Sequence, residues 1–294
     1  MTGYNFAFLD EGSKRLVRRA LLKAVAIPGY QVPFGSRELP IGRGWGTGGI
    51  QITLSIIGRK DTLKVIDQGS DDSVNAVSIR AFVSACTNIK TSTDSEEATV
   101  IQTRHRIPET PLRNDQILVL QVPLPEPLRM VEALESVTKK MHAGMDYAPM
   151  WLALYESIVR VGEIELGADY PVMVEDRYIM MPSPIPRFDN PKLNNSPALY
   201  LFGAGREKKI YALPPYTKVE SLGFEDYPFR VEDMSGRVCR LCGARDVFMD
   251  EFFDSATGER LYQCSDSGYC EKRLKSASLR ILDPEFLPDK ISRF

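Results

Sequence analysis

The feature that most constrains this chain is a group of four cysteines near its C-terminal end. Cys239 and Cys242 form a Cys-Arg-Leu-Cys-Gly knuckle, and Cys264 and Cys270 follow further on. A two-residue gap lets both thiolates of the knuckle point at one metal, and Gly243 relieves the backbone there. Between the pairs, VFMDEFFDSATGERLYQ reads as two short strands around a loop at residues 254–258, a hairpin that returns Cys264 to the knuckle. Four converging thiolates suit tetrahedral zinc or an iron–sulfur cluster. The second pair departs from the usual two-residue gap, because SDSGY separates Cys264 from Cys270. That leaves room for a site with three ligands and one cysteine free for chemistry. Spacing alone keeps two readings open: a structural zinc ribbon, and a three-thiolate cluster with one open iron.

The rest of the composition narrows the class. The 294 residues suffice for one large domain or two smaller ones, and a formal net charge of -2 gives no global bias toward nucleic acid or membrane. No apolar run approaches the roughly 20 residues of a membrane span. The start, MTGYNFAFLDEG, lacks the basic-then-apolar order of a signal peptide. The expected location is the cytoplasm, where thiols stay reduced and a cysteine cluster suggests metal or redox chemistry rather than disulfides. The fifth cysteine, Cys86, follows a helical pattern and reads as a buried structural thiol.

Along the chain, residues 13–26 place Leu16, Ala20, Leu21, Ala24 and Val25 on one helical face, which Pro28 and Gly29 end. A glycine-rich stretch runs from Gly35 to Gly49. In IQITLSI, the alternation of Ile50, Ile52, Leu54 and Ile56 predicts a strand. Asp71, Asp72 or Ser73 caps a helix reaching about Val83. Residues 99–107 and 117–122 read as strands, and residues 147–161 as a helix with a stripe of Trp151, Leu154, Tyr155 and Ile158. PVMVEDRYIMM predicts a hairpin turning near Glu175 and Asp176. Helix and strand mix without a regular βαβ rhythm, so the expected class is α+β with a mixed sheet, not a barrel. The expected division is a core over 1–126 with Gly29 and the glycine-rich loops, an insertion over 127–186 expected to dock a partner through Trp151 and Tyr155, a return to the core over 187–230, the cysteine unit over 231–270 and a tail over 271–294.

Several runs together, AIPGYQVPFGSRELP, GWGTGGIQ, VIDQGSDDSVNAVSIR, ATVIQTRHRIPETPL, MPSPIPRFDNPK and LFGAGREKKIYALPPYTKVESL, with the cysteine spacing, carry a family resemblance. The chain resembles the J subunits of carbon–phosphorus lyase from about residue 3 to residue 270, poorly over about 127–170. The tail resembles nothing informative. The resemblance implies an enzyme of phosphonate catabolism that cleaves α-D-ribose 1-methylphosphonate 5-phosphate to methane and α-D-ribose 1,2-cyclic phosphate 5-phosphate. It implies that Cys239, Cys242 and Cys264 hold a [4Fe–4S] cluster that splits S-adenosylmethionine. Gly29 would become a glycyl radical, and Cys270 would pass it a hydrogen and attack phosphorus as a thiyl. Zinc would fill all four thiolates, Cys270 included, in air-exposed protein. Implied partners are the G, H and I subunits and an ATPase-like K subunit. The chemistry is coherent with the residue types: a methyl group is a poor leaving anion, and a glycine α-carbon can flatten to a radical. A glycine after a helix also serves as an ordinary C-terminal cap.

A doubly anionic substrate needs cationic side chains and backbone N–H groups. Candidates are Gly203, Gly205 and Arg206, the glycines at 42–49, and Arg104 and Arg106. Read as a strand, Arg104-His105-Arg106 puts the arginines on one face and His105 on the other. The resemblance gives His105 a metal or substrate site shared with a partner; otherwise the segment is a polar strand end. His142 reads as an exposed helical residue. The rival function is a zinc-ribbon scaffold whose cysteines only hold shape. A nucleic-acid-binding ribbon is opposed by the acidic hairpin MDEFFD.

Overall fold

The computed structural model describes residues 10–35, 47–122, 128–162, 172–180, 188–205, 207–221 and 233–281. Helix α1 (Glu11–Ala26) starts at Asp10, whose carboxylate accepts the Ser13 N–H at 2.7 Å. It buries Val17, Ala20, Leu21 and Ala24, while Leu16, expected on that face, is 47% exposed. The chain then turns through Gly29, at φ 75°, whose N–H donates to the Ala212 carbonyl at 2.8 Å. Strand β1 (Val32–Pro33) follows.

The segment expected to be a strand at 50–56 is helix α2 (Thr47–Ile56). Period-2 alternation misled here because the whole segment is buried: Ile50, Gln51, Ile52, Thr53 and Leu54 all lie inside. A helix enclosed on every side loses its amphipathic signature. Its place against the sheet depends on small residues. A methyl group on Gly203 would meet Ile52 Cδ1 at 2.6 Å and the Gly48 carbonyl oxygen at 2.9 Å.

Next come β2 (Thr62–Ile66), α3 (Val74–Thr87), β3 (Lys90–Thr91), β4 (Val100–Thr103) and β5 (Ile117–Gln121). The cap of α3 is Ser73, which accepts the Ala76 N–H at 3.0 Å, and Asp71 serves elsewhere. Helices α4 (Leu128–Val131), α5 (Glu135–Gly144) and α6 (Ala148–Val161) close a small separate core around Leu128, Met141, Met150 and Leu154. Trp151 is half-buried and Tyr155 exposed, so the buried face of α6 is rotated from the expected stripe. The hairpin β6 (Val172–Val174) and β7 (Tyr178–Met180) turns at Glu175 and Asp176, both at positive φ, as expected. Then follow β8 (Leu199–Ala204), β9 (Lys209–Leu213), β10 (Val219–Ser221), β11 (Met249–Phe253), β12 (Arg260–Cys264) and α7 (Ser267–Ile281). Residues 182–186 lie outside the described residues.

The main sheet runs β1-β9-β8-β5-β4-β2-β3. Strands β3, β2, β4, β5 and β8 are parallel, and β9 is antiparallel to both β8 and β1. The mixed sheet bears out the α+β expectation. Both faces are covered, which explains the unbroken apolar runs of β5 and β8. Helices α1, α2 and α3 cover one face. On the other, Leu118, Leu120, Phe202 and Tyr211 meet Val172, Val174 and Val219 of the small sheet β10-β6-β7. Strand β10, from the expected return segment, therefore pairs with β6 of the expected insertion. Among the described residues no helix is long and apolar enough to cross a membrane.

The glycine contact can be tested. Gly203→Ala forces a methyl into backbone that cannot retreat, so it should cost about 1–3 kcal/mol. Gly144→Ala, where a methyl meets open space, should leave stability unchanged or raised. Equal urea midpoints for Gly203→Ala and the parent would refute the packing argument.

Candidate metal centre

Strands β11 and β12 form the hairpin expected between the cysteine pairs, with Met249 opposite Cys264. The Cys239 carbonyl accepts the Gly243 N–H, and the Cys239 N–H reaches the Ala244 carbonyl, which closes the knuckle. Cys270 stands in the first turn of α7. All four sulfurs lie within 4.8 Å of one another. Cys239 and Cys270 are 3.7 Å apart, and Cys242 and Cys264 3.6 Å. A tetrahedral ion with bonds of about 2.3 Å holds its sulfurs about 3.8 Å apart. The four thiols therefore suit a soft metal as they stand. Cys239, Cys264 and Cys270 are buried, and Cys242 alone is partly open.

The thiols are electrostatically unequal. Burial opposes ionisation of Cys239, yet N–H groups of Cys242, Cys264 and Leu241 aimed at its sulfur outweigh it and bring the thiol down to about 6. Burial, then the neighbouring thiols, push Cys270 up to about 12 and raise Cys264. One thiolate forms readily, whereas Cys264 and Cys270 ionise only with a cation beside them. Cys86, expected to be buried, is half-buried on α3, and burial alone pushes its thiol up to about 11.

Two buried polar clasps hold this unit on the sheet. Lys64 of β2 reaches Asp71 at 3.0 Å, Asp266 at 2.9 Å and the Thr93 carbonyl at 2.7 Å. Asp71 also accepts the Gly268 N–H, and Asp266 those of Tyr269 and Glu109. The second clasp is Glu109, which accepts the Phe248 N–H and pairs with Lys192 at 2.9 Å; Lys192 also pairs with Asp189. Sequence reasoning missed these residues. A lysine inside the apolar run TLKVI was the available signal for the first.

Arg104-His105-Arg106 is not a strand. Strand β4 ends at Thr103, and His105 sits at φ 81° in the turn beyond. The arginines therefore do not share a face. Arg104 pairs with Asp67 at 2.7 Å, while Arg106 is buried with its guanidinium 3.1 Å from the Phe248 ring centre. His105 and Arg106 line one cavity of about 460 Å³ with Gln68, Gly69 and Asp250. His142, on α5, is half-buried against Tyr147 rather than exposed.

The structure separates other expected site residues. Gly29 lies beside β9, whereas the cysteine unit is clasped to β2, four strand spacings or about 19 Å across the sheet. Gly203 and Gly205 face Gly48 at the α2 contact. Arg206 and most of the glycine-rich stretch lie outside the described residues. The boundary expected after Cys270 falls inside α7, which runs on to Ile281.

The chain has close relatives in sequence. A family model described as "Phosphonate metabolism protein PhnJ" matches residues 2–276. The chain belongs to that family. It is 58% identical over 273 residues to the alpha-D-ribose 1-methylphosphonate 5-phosphate C-P lyase of Escherichia coli (strain K12), covering 93% of this chain and 97% of the relative. It is 59% identical over 270 residues to the protein of the same description from Rhizobium meliloti (strain 1021), covering 92% and 91%. The match passes through the whole four-cysteine unit and the first turns of α7.

Two outcomes follow from the site's electrostatics. Lys64→Met leaves Asp71 and Asp266 facing each other without a cation, and should cost about 3–5 kcal/mol. Denaturation that is indistinguishable from the parent would exclude the clasp. Burial, then Arg104 and Arg106, hold His105 at about 4 instead of 6.5. Between those values the unfolded chain binds the extra proton, so this residue's contribution is full above pH 6.5 and fades as pH falls toward 4. His105→Gln should flatten the fall in Tm over that window, and a steeper fall would contradict the assignment.

Proposed function

We propose that this chain is the catalytic subunit of a carbon–phosphorus lyase acting on α-D-ribose 1-methylphosphonate 5-phosphate. The observation that carries the reading is the convergence of four thiols, one of them half-open, in a member of this family whose relatives bear that activity in their names.

In this reading Cys239, Cys242 and Cys264 hold a [4Fe–4S] cluster, a donor set of the right softness. A cluster held there would supply the one-electron reduction that splits S-adenosylmethionine to a 5′-deoxyadenosyl radical. A four-iron cluster is wider than a single ion, so the sulfurs must spread from their present contacts, and the open side at Cys242 gives the room. Gly29 would give up an α-hydrogen to that radical, leaving 5′-deoxyadenosine, and would take one from the Cys270 thiol. The Cys270 sulfur then attacks phosphorus and a methyl radical leaves, to recover a hydrogen from Gly29 as methane. The ribose 2-hydroxyl displaces the sulfur and closes the 1,2-cyclic phosphate. Gly29 and Cys270 stand on opposite flanks of the sheet, so the relay needs a rearrangement within the assembled enzyme. We assign that assembly to G, H and I subunits and an ATPase-like K subunit, the last docking on Leu152, Tyr155 and Val159, exposed on α6. His105, strained at the rim of its cavity, is assigned to a metal or substrate site completed by a partner. Arg104 and Arg106 are assigned to holding that turn.

The second reading is a zinc-ribbon scaffold, favoured by sulfur spacings that already match one tetrahedral ion. Anaerobic reconstitution with iron and sulfide separates the two. The lyase reading expects about four irons per chain, and Cys270→Ala should keep them, still form 5′-deoxyadenosine and release no methane. A scaffold expects Cys270→Ala to unfold the unit as badly as Cys239→Ala.

A further inference from the structure

The thiol group opens on one side, at Cys242, and a cavity of about 440 Å³ begins there. One wall is α7, which turns Tyr269, Lys272, Arg273 and Ser276 toward it, spaced three and four residues apart as one helical face requires. The facing wall includes Glu96 and Thr110. The volume suits a ligand of drug-like size.

The charges on this wall are already partly assigned. Lys272 pairs with Asp94 at 3.8 Å and with Glu96. Arg273 is different: among the described residues no ion pair joins it to a carboxylate. Its guanidinium lies 5.8 Å from the Tyr269 ring centre and faces the Cys242 sulfur. The cavity thus offers one guanidinium without a carboxylate partner among the described residues, one aromatic face and one half-open thiol of the metal set. A ligand that matches has a carboxylate for Arg273 and a flat ring for Tyr269, while Glu96 stays with Lys272. A sugar carrying both a phosphate and a phosphonate matches poorly, since it brings several negative charges to a wall with a single open cation and an acidic neighbour.

We propose that this cavity is the seat of S-adenosylmethionine, with Arg273 binding its carboxylate and Tyr269 backing its adenine. The proposal rests on the cluster reading above and adds the site. It also gives a role to α7 beyond Cys270.

The test is titration of S-adenosylmethionine into anaerobically reconstituted full-length protein. Arg273→Met should weaken binding about 10-fold to 100-fold, as loss of a charge-assisted contact does. Iron content and the absorption spectrum without ligand should stay at parent values, and Arg273→Lys should restore part of the affinity. Unchanged affinity in Arg273→Met, or iron-loaded parent that binds no S-adenosylmethionine, overturns the proposal and leaves the cluster in place. Competition by the ribose phosphonate that disappears with Arg273→Met also overturns it, because the seat then holds a phosphate. If the parent takes up no iron, the cluster reading fails, and the same titration on zinc-loaded protein decides the cavity. Binding lost in Arg273→Met upholds the seat, and no binding by the zinc-loaded parent removes it.

Discussion

The place where α7 starts beneath the cysteine unit is set by one buried ammonium group, that of Lys64. Lys64 is fully buried, and it reaches two carboxylates and a carbonyl that come from three separate places: the loop after β2, the loop after β3 and the start of α7. A buried cation of this kind gives little net stability over a well-packed apolar residue, but its partners cannot be left unpaired. Its effect is therefore to fix position. With Asp71 and Asp266 held, the Gly268 N–H is held, and the helix bearing Cys270 has one place to start. A methyl group on Gly268 would collide with the Thr93 carbonyl, so the helix end sits as close to the sheet as backbone permits.

The second clasp, through Glu109, ties the same unit to the segment after β4. Glu109 meets Phe248 and Lys192 through its side chain and Asp266 through its N–H. Arg106 stacks on Phe248 from that segment. The two clasps give the segment its shape, and it contributes to both cavities: His105 and Arg106 to one, Thr110 and Pro111 to the other. The metal centre and the strained histidine are thus mechanically joined through buried hydrogen bonds, although they lie in different cavities.

Much of this was legible in the residues, and the failures share a cause. The hairpin β11–β12 and the knuckle could be read because both are local: a two-residue cysteine gap and a turn between alternating runs involve no distant partner. The hairpin at Glu175 and Asp176 is of the same kind. Helix α2 was misread because burial on all sides erased its period. Arg104-His105-Arg106 was misread because β4 stops at Thr103, where Asp67 and Phe248, far apart in sequence, take up the two arginines. Residues 271–281 resembled nothing informative because an exposed helix face carries no motif until something stands opposite it.

By itself, then, the sequence determined the donor set, the local turns that gather it and the kinship of the chain, all of which reside in residue identity and short spacing. Only the tertiary structure decided that Lys64 joins Asp71 to Asp266, that Cys242 is the open corner, and that Gly29 and Cys270 lie on opposite flanks of the sheet. The reason is physical. Strand order and buried ion pairs link residues many tens of positions apart, and their energies come from burial and desolvation that no local spacing encodes.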